Sequence, residues 1–333
     1  MSKSTFDVLA LGNAIVDIIA RVEDDFLVRE NIHKGAMNLI DEPRAEHLSS
    51  IIGQARVISG GSAANTAAGL ASFGGKAAFI GKVKADPTGH TFTSDIHSAG
   101  VDFQTSATSE GPATARSFIL VTPDGQRSMN TYLGACQNLT IADVDADLIQ
   151  QSGIVYLEGY LWDPPEAKRA FLKASEIAHA NGRRVALTLS DSFCVDRYRD
   201  EFLELIRNRI VDIVFANSSE LHSLYQTADF ESAVAALRAE KVLGIVTRSE
   251  LGSIVVTQDA VHAVPAHPIA SIVDTTGAGD LFAAGFLYGM SRNLAHVECA
   301  RLGSLAAAEI IQHIGARPEV NLAELAIREA ARV

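Results

Sequence analysis

The sequence predicts an α/β protein with a doubly wound, mainly parallel β-sheet covered by helices on both faces. Short apolar runs recur with amphipathic stretches between them, and several runs are apolar on both faces, as strands covered on each side must be. The chain of 333 residues is 47% hydrophobic and 20% charged, which is enough apolar material for a sizeable core. We expect one domain over residues 1–333.

The predicted strands of the main sheet are apolar runs at residues 6–11, 78–80, 154–157, 185–189, 210–216, 244–247 and 253–257. Helices are predicted between them. One begins at Pro164 and Pro165 and ends before Gly182, because proline suits the first turn of a helix and glycine its end. Residues 196–209 and 230–240 are similar amphipathic runs. In this architecture, ligands bind where the carboxyl ends of strands meet helix N-termini.

Two regions, at about residues 17–39 and 103–133, break this alternation. The second has an extended run at 115–122 and another at 127–133, with the turn sequence Pro-Asp-Gly between them. Two extended runs joined by such a turn are typical of a β-hairpin. We expect both regions to form a small β-sheet that acts as a lid beside the main domain.

The composition argues against several classes of protein. The chain has 28 Lys and Arg against 40 Asp and Glu, a net charge of −12, so general binding to nucleic acid is disfavoured. The longest uncharged run, at 57–75, is too polar in its first half for lipid, so no membrane span is predicted. The three cysteines are far apart and form no CxxC pair, which favours a reducing, cytoplasmic setting.

The most informative segment is DTTGAGD at residues 274–280, followed by an apolar helical run. A glycine-rich turn that enters a helix leaves backbone N–H groups free to bind an anion, and glycine lets a phosphate approach the backbone. Asp280, in the first helical turn, would then accept a proton from a hydroxyl group. The alternative is an ordinary turn in which Asp280 only complements the helix dipole. The segment is not a P-loop, and protein-kinase signatures are absent.

Three weaker segments follow the ends of predicted strands. Residues 60–66 (GGSAANT) lead into a small-residue helix, and Asn13 with Asp17 follows the first strand. Both would suit a hydroxylated ligand, although a tight turn explains each equally well. Asn217 and Glu220 follow a third strand and also match a capping box, in which each side chain bonds the other's backbone N–H.

Together these segments resemble the pfkB (ribokinase-like) family of carbohydrate and nucleoside kinases. Gly60-Gly61 with Asn65, and DTTGAGD at 274–280, are similar to the two signatures of that family, and Asn217-x-x-Glu220 to its third motif. The resemblance covers essentially the whole chain. It is strongest to the adenosine-kinase and bacterial nucleoside-kinase branch, through residues 12–17, 34–41, 132–135, 159–160 and 189–193.

The resemblance implies a role for each matching residue. Asp280 would be the general base, and Gly277, Ala278 and Gly279 would bind the transferring phosphoryl group. The substrate sugar would contact Asn13, Asp17, Gly61 and Asn65. The nucleobase would face Met37, Asn38, Leu133, Tyr160 and Phe193, an apolar and aromatic slot. ATP would contact Asn217, Glu220, Thr247, Arg248, Gly252 and Gly303. Asn217 and Glu220 would hold Mg²⁺ through water, and Asp274, Thr276 and Gly315 would form a monovalent-cation loop.

The expected activity is transfer of a phosphoryl group from Mg²⁺-ATP to the 5′-hydroxyl of a purine nucleoside, with K⁺ as a further expected cofactor. A sugar kinase and a sensor that binds without turnover are the alternatives. Relatives imply either a monomer or a homodimer. One departure concerns the ATP loop, where many relatives have glycine in place of Ser249.

Overall fold

The computed structural model describes residues 4–331 and contains two β-sheets. Within these residues the strands are β1 (Phe6–Leu11), β2 (Ile15–Arg21), β3 (Met37–Leu39), β4 (Arg56–Gly60), β5 (Ala77–Ile80), β6 (Val101–Phe103), β7 (Ala115–Val121), β8 (Arg127–Tyr132), β9 (Ser152–Glu158), β10 (Arg184–Thr188), β11 (Ile213–Asn217), β12 (Leu243–Thr247), β13 (Ser253–Val256) and β14 (Val261–Val264).

Twelve α-helices pack on these sheets within the described range. They are α1 (Asp24–Arg29), α2 (Glu42–Ile51), α3 (Ser62–Ser72), α4 (Pro87–Ser98), α5 (Ala146–Gln150), α6 (Pro165–Ala180), α7 (Ser192–Arg207), α8 (Ser218–Tyr225), α9 (Phe230–Ala239), α10 (Ala278–Ser291), α11 (His296–Ile310) and α12 (Leu322–Ala330). No helix among residues 4–331 combines the length and apolar character that crossing a membrane requires.

The main sheet has nine strands in the order β14-β13-β12-β11-β10-β9-β1-β5-β6. Pairing is parallel from β12 through to β6, and only β13 and β14 are antiparallel. Along β1, Leu9 and Leu11 enter one apolar core while Val8 and Ala10 enter another on the opposite face. Strands that alternate between two buried faces confirm the predicted doubly wound fold.

The second sheet has five strands in the order β3-β8-β7-β2-β4. The predicted hairpin is present as β7 and β8, which pair antiparallel across the turn. Helices α1 and α2 cover one face of the sheet, where Leu27 and Leu48 pack with Phe118. The smaller sheet is confirmed, and its action as a lid stays a prediction.

The structure differs from the sequence predictions in several places, of which three concern the layout of the two sheets. The strand expected at 210–216 begins at Ile213, because Arg209 has a left-handed backbone (φ +59°) and the chain is still turning out of α7. Phe103 was expected in the lid region, but it ends β6 of the main sheet and packs against Phe92. Strand β4 was not predicted to be in the small sheet, although it pairs with β2 there.

Helices α3 and α10 pack closely and bring their N-termini together. A Cβ atom on Gly69 of α3 would lie 2.6 Å from Leu281 Cδ1 and 2.8 Å from Ala284 Cβ of α10. A side chain at position 69 would therefore push the two helices apart. This contact explains why segments 215 residues apart in sequence can meet at one site.

Candidate active site

The N-terminus of α10 carries the strongest of the predicted motifs. Gly277 caps the helix with a left-handed backbone (φ +77°), and a Cβ there would lie 2.8 Å from Ala316 Cβ. The N–H groups of a first helical turn have no acceptor within the helix, so they are available to an anion. The N–H of Ala278 is already used in this conformation, because it donates to Thr275 O at 3.2 Å.

Asp280 lies in that first turn and is held by two donors from α3. Ser62 Oγ donates to its Oδ1 at 2.6 Å, and Asn65 Nδ2 donates to its Oδ2 at 2.9 Å. Burial raises the pKa of Asp280 above its usual value, and these two hydrogen bonds oppose the rise. Asn65 was predicted in the site and Ser62 was not, because its hydroxyl follows a Gly-Gly pair like any ordinary helix start.

Asp17, on β2, points its buried carboxylate at the turn between β4 and α3. A Cβ on Gly60 would lie 2.2 Å from Asp17 Oδ2, so glycine is needed for this approach. Burial raises the pKa of Asp17 to about 7, and the nearby charge of Asp280 adds to the rise. The predicted sugar-binding carboxylate therefore lies beside both the Gly-Gly turn and Asp280.

Glu158, the last residue of β9, was missed by sequence reasoning. Its carboxylate accepts bonds from Asn13 Nδ2 at 2.7 Å and from the backbone N–H of Ala63 at 2.8 Å. Burial raises the pKa of Glu158 to about 7. Glu158 thus uses one of the two N–H donors of the Asn13 amide. A charged residue ending an apolar strand was the one available signal.

Gly61 offers a direct test of this turn. Its backbone is left-handed (φ +97°), and a Cβ would lie 2.1 Å from Asn13 O, so Gly61→Ala should lower the free energy of unfolding by about 2 kcal/mol or more. The matched control is Gly74→Ala, because Gly74 is also left-handed (φ +81°) but has open space around it. It should cost only about 1 kcal/mol. Equal losses in denaturant unfolding would contradict the steric argument.

The residues predicted to face a nucleobase come from four parts of the fold. Met37 and Asn38 lie on β3, Leu133 directly follows β8, and Tyr160 follows β9. Phe193 lies in the first turn of α7 and is 78% exposed. Phe193 is therefore not a core aromatic. Tyr160 is 38% exposed, and burial of its hydroxyl, with Asp191 and Asp280 nearby, raises its pKa.

A cavity of about 400 Å³ lies beyond the ends of β11 and β12. It is lined by Asn217, Ser218, Ser219, His222, Phe230, Thr247, Arg248, Ser249, Glu250 and Leu251. The guanidinium of Arg248 lies 4.1 Å from the centre of the Phe230 ring. The structure therefore brings Asn217, Thr247 and Arg248 together. Gly303 is not one of the lining residues. It lies on α11 where this helix packs against α10, and a Cβ there would lie 2.6 Å from Phe282 O.

Asn217 and Glu220 form the capping box at the start of α8. Asn217 Nδ2 donates to Glu220 Oε1 at 2.6 Å, and the Asn217 N–H donates to Glu220 Oε2 at 3.0 Å. Glu220 is buried, which raises its pKa to about 7. Each carboxylate oxygen already accepts one hydrogen bond from Asn217, which leaves a lone pair on each oxygen for a water that a bound metal ion would hold.

Ser249 has a left-handed backbone (φ +51°) in the turn between β12 and β13. Only glycine adopts that conformation without a steric cost. Ser249, which stands where many relatives have glycine, therefore keeps a backbone conformation typical of glycine at the cost of local strain.

The residues predicted to form a cation loop lie around Asp274. The N–H of Thr276 donates to its Oδ1 at 2.6 Å and the N–H of Gly315 to its Oδ2 at 2.9 Å. Arg127, from β8 of the second sheet, pairs with Asp274 at 2.5 Å and also donates to the Thr276 hydroxyl. A monovalent cation at this carboxylate would require that guanidinium to move. No cluster of three His, Cys, Asp or Glu side chains suited to a metal occurs within residues 4–331.

Comparisons with solved structures show close relatives over nearly the full length. A probable sugar kinase from Rhizobium etli is 54% identical with a TM-score of 0.92, over 99% of this chain and 100% of that one. Adenosine kinase from Sinorhizobium meliloti is 56% identical with a TM-score of 0.91, over 98% and 100%. Among curated sequences, adenosine kinase 2 of Arabidopsis thaliana is 26% identical over 96% of this chain and 99% of its own length.

The family model described as pfkB family carbohydrate kinase matches residues 7–322. That span includes both glycine-containing turns and Asp280. A match of this extent, together with these relatives, shows that the chain belongs to the pfkB family of carbohydrate kinases and is a phosphotransferase.

Proposed function

We propose that the protein transfers the γ-phosphoryl group of ATP to the 5′-hydroxyl of a purine nucleoside. The observation that carries the proposal is the placement of Asp280. Its carboxylate is fixed by Ser62 and Asn65 at the N-terminus of α10, in the first turn, whose backbone N–H groups have no acceptor within the helix. A base beside an anion site is the arrangement that phosphoryl transfer to an alcohol requires.

In this mechanism Asp280 accepts the proton of the 5′-hydroxyl as its oxygen attacks the γ-phosphorus, and the bond from that phosphorus to the β–γ bridging oxygen breaks to release ADP. The turn at Gly277, Ala278 and Gly279 binds the transferring group, and the Ala278 N–H must leave Thr275 O to take part. Asp17, Asn13, Gly61 and Asn65 bind the ribose hydroxyls. The second sheet closes over the site and excludes water, which strengthens each of these electrostatic interactions.

ATP occupies the cavity beside Asn217, with Thr247 and Arg248 along its phosphates and Gly252 at the adjoining turn. Mg²⁺ neutralises phosphate charge when bound. The capping box fits a water-mediated role for Asn217 and Glu220. Binding of K⁺ by Asp274, Thr276 and Gly315 requires that Arg127 first leaves the Asp274 carboxylate. A cytoplasmic location and a monomeric or dimeric state stay predictions.

The experiment that tests the proposal is a phosphoryl-transfer screen with Mg²⁺-ATP. The acceptors are adenosine, guanosine, inosine, cytidine, ribose and fructose, compared by kcat/KM. Purine nucleosides should be the best acceptors, and adenosine is the expected first among them. The Rhizobium etli relative favours the second candidate, a sugar kinase. Higher kcat/KM for ribose or fructose than for every nucleoside would establish that alternative.

Phe193 should separate nucleosides from sugars. Stacking of a base on an exposed aromatic ring is worth about 1–3 kcal/mol, so Phe193→Ala should lower kcat/KM for the best nucleoside by about 10-fold or more. Turnover of free ribose by the same variant is the internal control and should not change. Leu172→Ala, at another exposed apolar residue, is a second control. An equal loss with ribose would remove Phe193 from base recognition.

A further inference from the structure

Arg317 follows the cation loop and reaches the turn that carries Ser62. Its Nε and Nη2 donate to Ser59 O at 3.1 and 2.9 Å, its Nη2 to Ser59 Oγ at 2.9 Å, and its Nη1 to Ala64 O at 2.8 Å. These bonds span both ends of the segment from Ser59 to Ala64. The guanidinium therefore fixes the path of the chain on each side of the Gly60-Gly61 pair.

All of these acceptors are uncharged. The bonds therefore fix the position of the Arg317 guanidinium but do not pair its positive charge with a negative one. Three carboxylates face it from three different elements: Asp17 on β2, Asp95 on α4 and Asp280 on α10. Asp95 is linked through Ser59, whose hydroxyl and N–H donate to Asp95 Oδ2 at 2.6 and 2.7 Å. Two of the three carboxylates are those proposed to bind and activate the acceptor.

We propose that Arg317 is a positioning residue for phosphoryl transfer, which holds the Ser59–Ala64 turn against Asp280 and places a positive charge near Asp17 and Asp280. Arg317 does not touch the reacting atoms in this role. It acts through Ser62, which follows the turn it braces, and through its charge. The inference rests on the proposed function, because it concerns the same two carboxylates.

The charges around Asp280 give the direction of the effect. Asp17 and Glu158 are buried carboxyls that interact unfavourably with it, and the hydroxyls of Tyr156 and Tyr160 also lie in its field. Arg317 is the positive group that lowers the pKa of both Asp17 and Asp280. Burial lowers the pKa of Arg317 itself to about 10, so it stays charged at neutral pH. Its removal should therefore raise the pKa of both carboxyls.

The test compares Arg317→Met, which removes the charge at similar length, with Arg317→Lys, which keeps it. The matched control is Arg116→Met. Arg116 is a buried arginine on β7 that pairs with Glu46 of α2. Each variant is checked for folding by circular dichroism. The pH profile of kcat/KM is then measured at saturating Mg²⁺-ATP, with the acceptor that the screen identifies.

Arg317→Met should move the acid limb of the profile upward by about one pH unit or more, since an opposite charge nearby lowers a carboxyl pKa by at least that amount. Arg317→Lys should keep the limb near its wild-type position while kcat falls, because an ammonium group lacks the planar fork that braces the turn. Arg116→Met should leave the limb unchanged.

Two results would overturn the inference. One is a limb in Arg317→Met no more displaced than in Arg116→Met. The other is an equal displacement in the Lys and Met variants, since charge would then not be the cause. The proposed function fails separately, in the wild-type screen, if no nucleoside is phosphorylated. The Arg317 comparison still applies to whichever acceptor is used.

Discussion

Replacing Asp280 by asparagine is expected to lower kcat by about 10²-fold or more while nucleoside affinity changes little. The amide has the same size: its oxygen can still accept from Asn65, and its NH2 group can donate to the Ser62 hydroxyl, which now acts as the acceptor. It cannot accept the proton of an attacking hydroxyl. The loss should therefore fall on the chemical step and leave binding by Asp17 and Asn13 in place.

Single-turnover kinetics and calorimetric titration with adenosine measure the two effects separately. The contribution of Asp280 to the acid limb of the wild-type pH profile should also disappear in Asp280→Asn, leaving that of Asp17, because a base with a raised pKa gains activity as pH rises through that pKa. Asp86→Asn is the control, since Asp86 caps α4 and accepts from Gly89 and Thr114. Near-wild-type turnover would remove Asp280 from the mechanism.

Removal of Mg²⁺ should lower phosphoryl transfer by about 10³-fold or more, the rate equivalent of several kcal/mol. The chain carries a net charge of −12, and Glu158, Glu220 and Asp280 all lie near the Tyr160 hydroxyl. Such surroundings repel the phosphates of free ATP. Magnesium binds to phosphate oxygens and keeps several waters, so it needs no dedicated cage of side chains.

The measurement is initial rate against free Mg²⁺, with and without excess chelator. Glu220→Gln should raise the Mg²⁺ concentration needed for half-maximal rate, because the amide weakens the proposed water-mediated contact. Glu46→Gln, at a carboxylate in the second sheet's helix layer, should not. Full activity in excess chelator would contradict the proposed role of the metal outright.

The sequence predicted the architecture because its signals are local. Apolar runs with helical stretches between them predicted β1, β9 and β10 to within one or two residues, and the Pro-Asp-Gly turn predicted the β7–β8 hairpin. The motif at 274–280 predicted a helix N-terminus, which is where α10 begins. Each of these features depends on residues that are neighbours in the chain.

The site residues that the sequence did not predict have partners that are distant in the chain. Ser62 meets Asp280 across 218 residues, Glu158 meets Asn13 across 145, and Arg317 meets Ser59 across 258. Ser62 and Arg317 look like ordinary turn and loop residues in the sequence. Nothing near them in the chain indicates which buried group they will serve.

By itself the sequence determined the fold class, the hairpin and the position of the glycine-rich turn ahead of α10. The tertiary structure decided which donors hold Asp280, which carboxylates lie beside Arg317, and that Arg127 pairs with Asp274. The physical reason is that backbone conformation follows from local sterics and the spacing of apolar residues. The pairing of buried polar groups is settled only when packing removes water and leaving a buried group without a partner becomes costly.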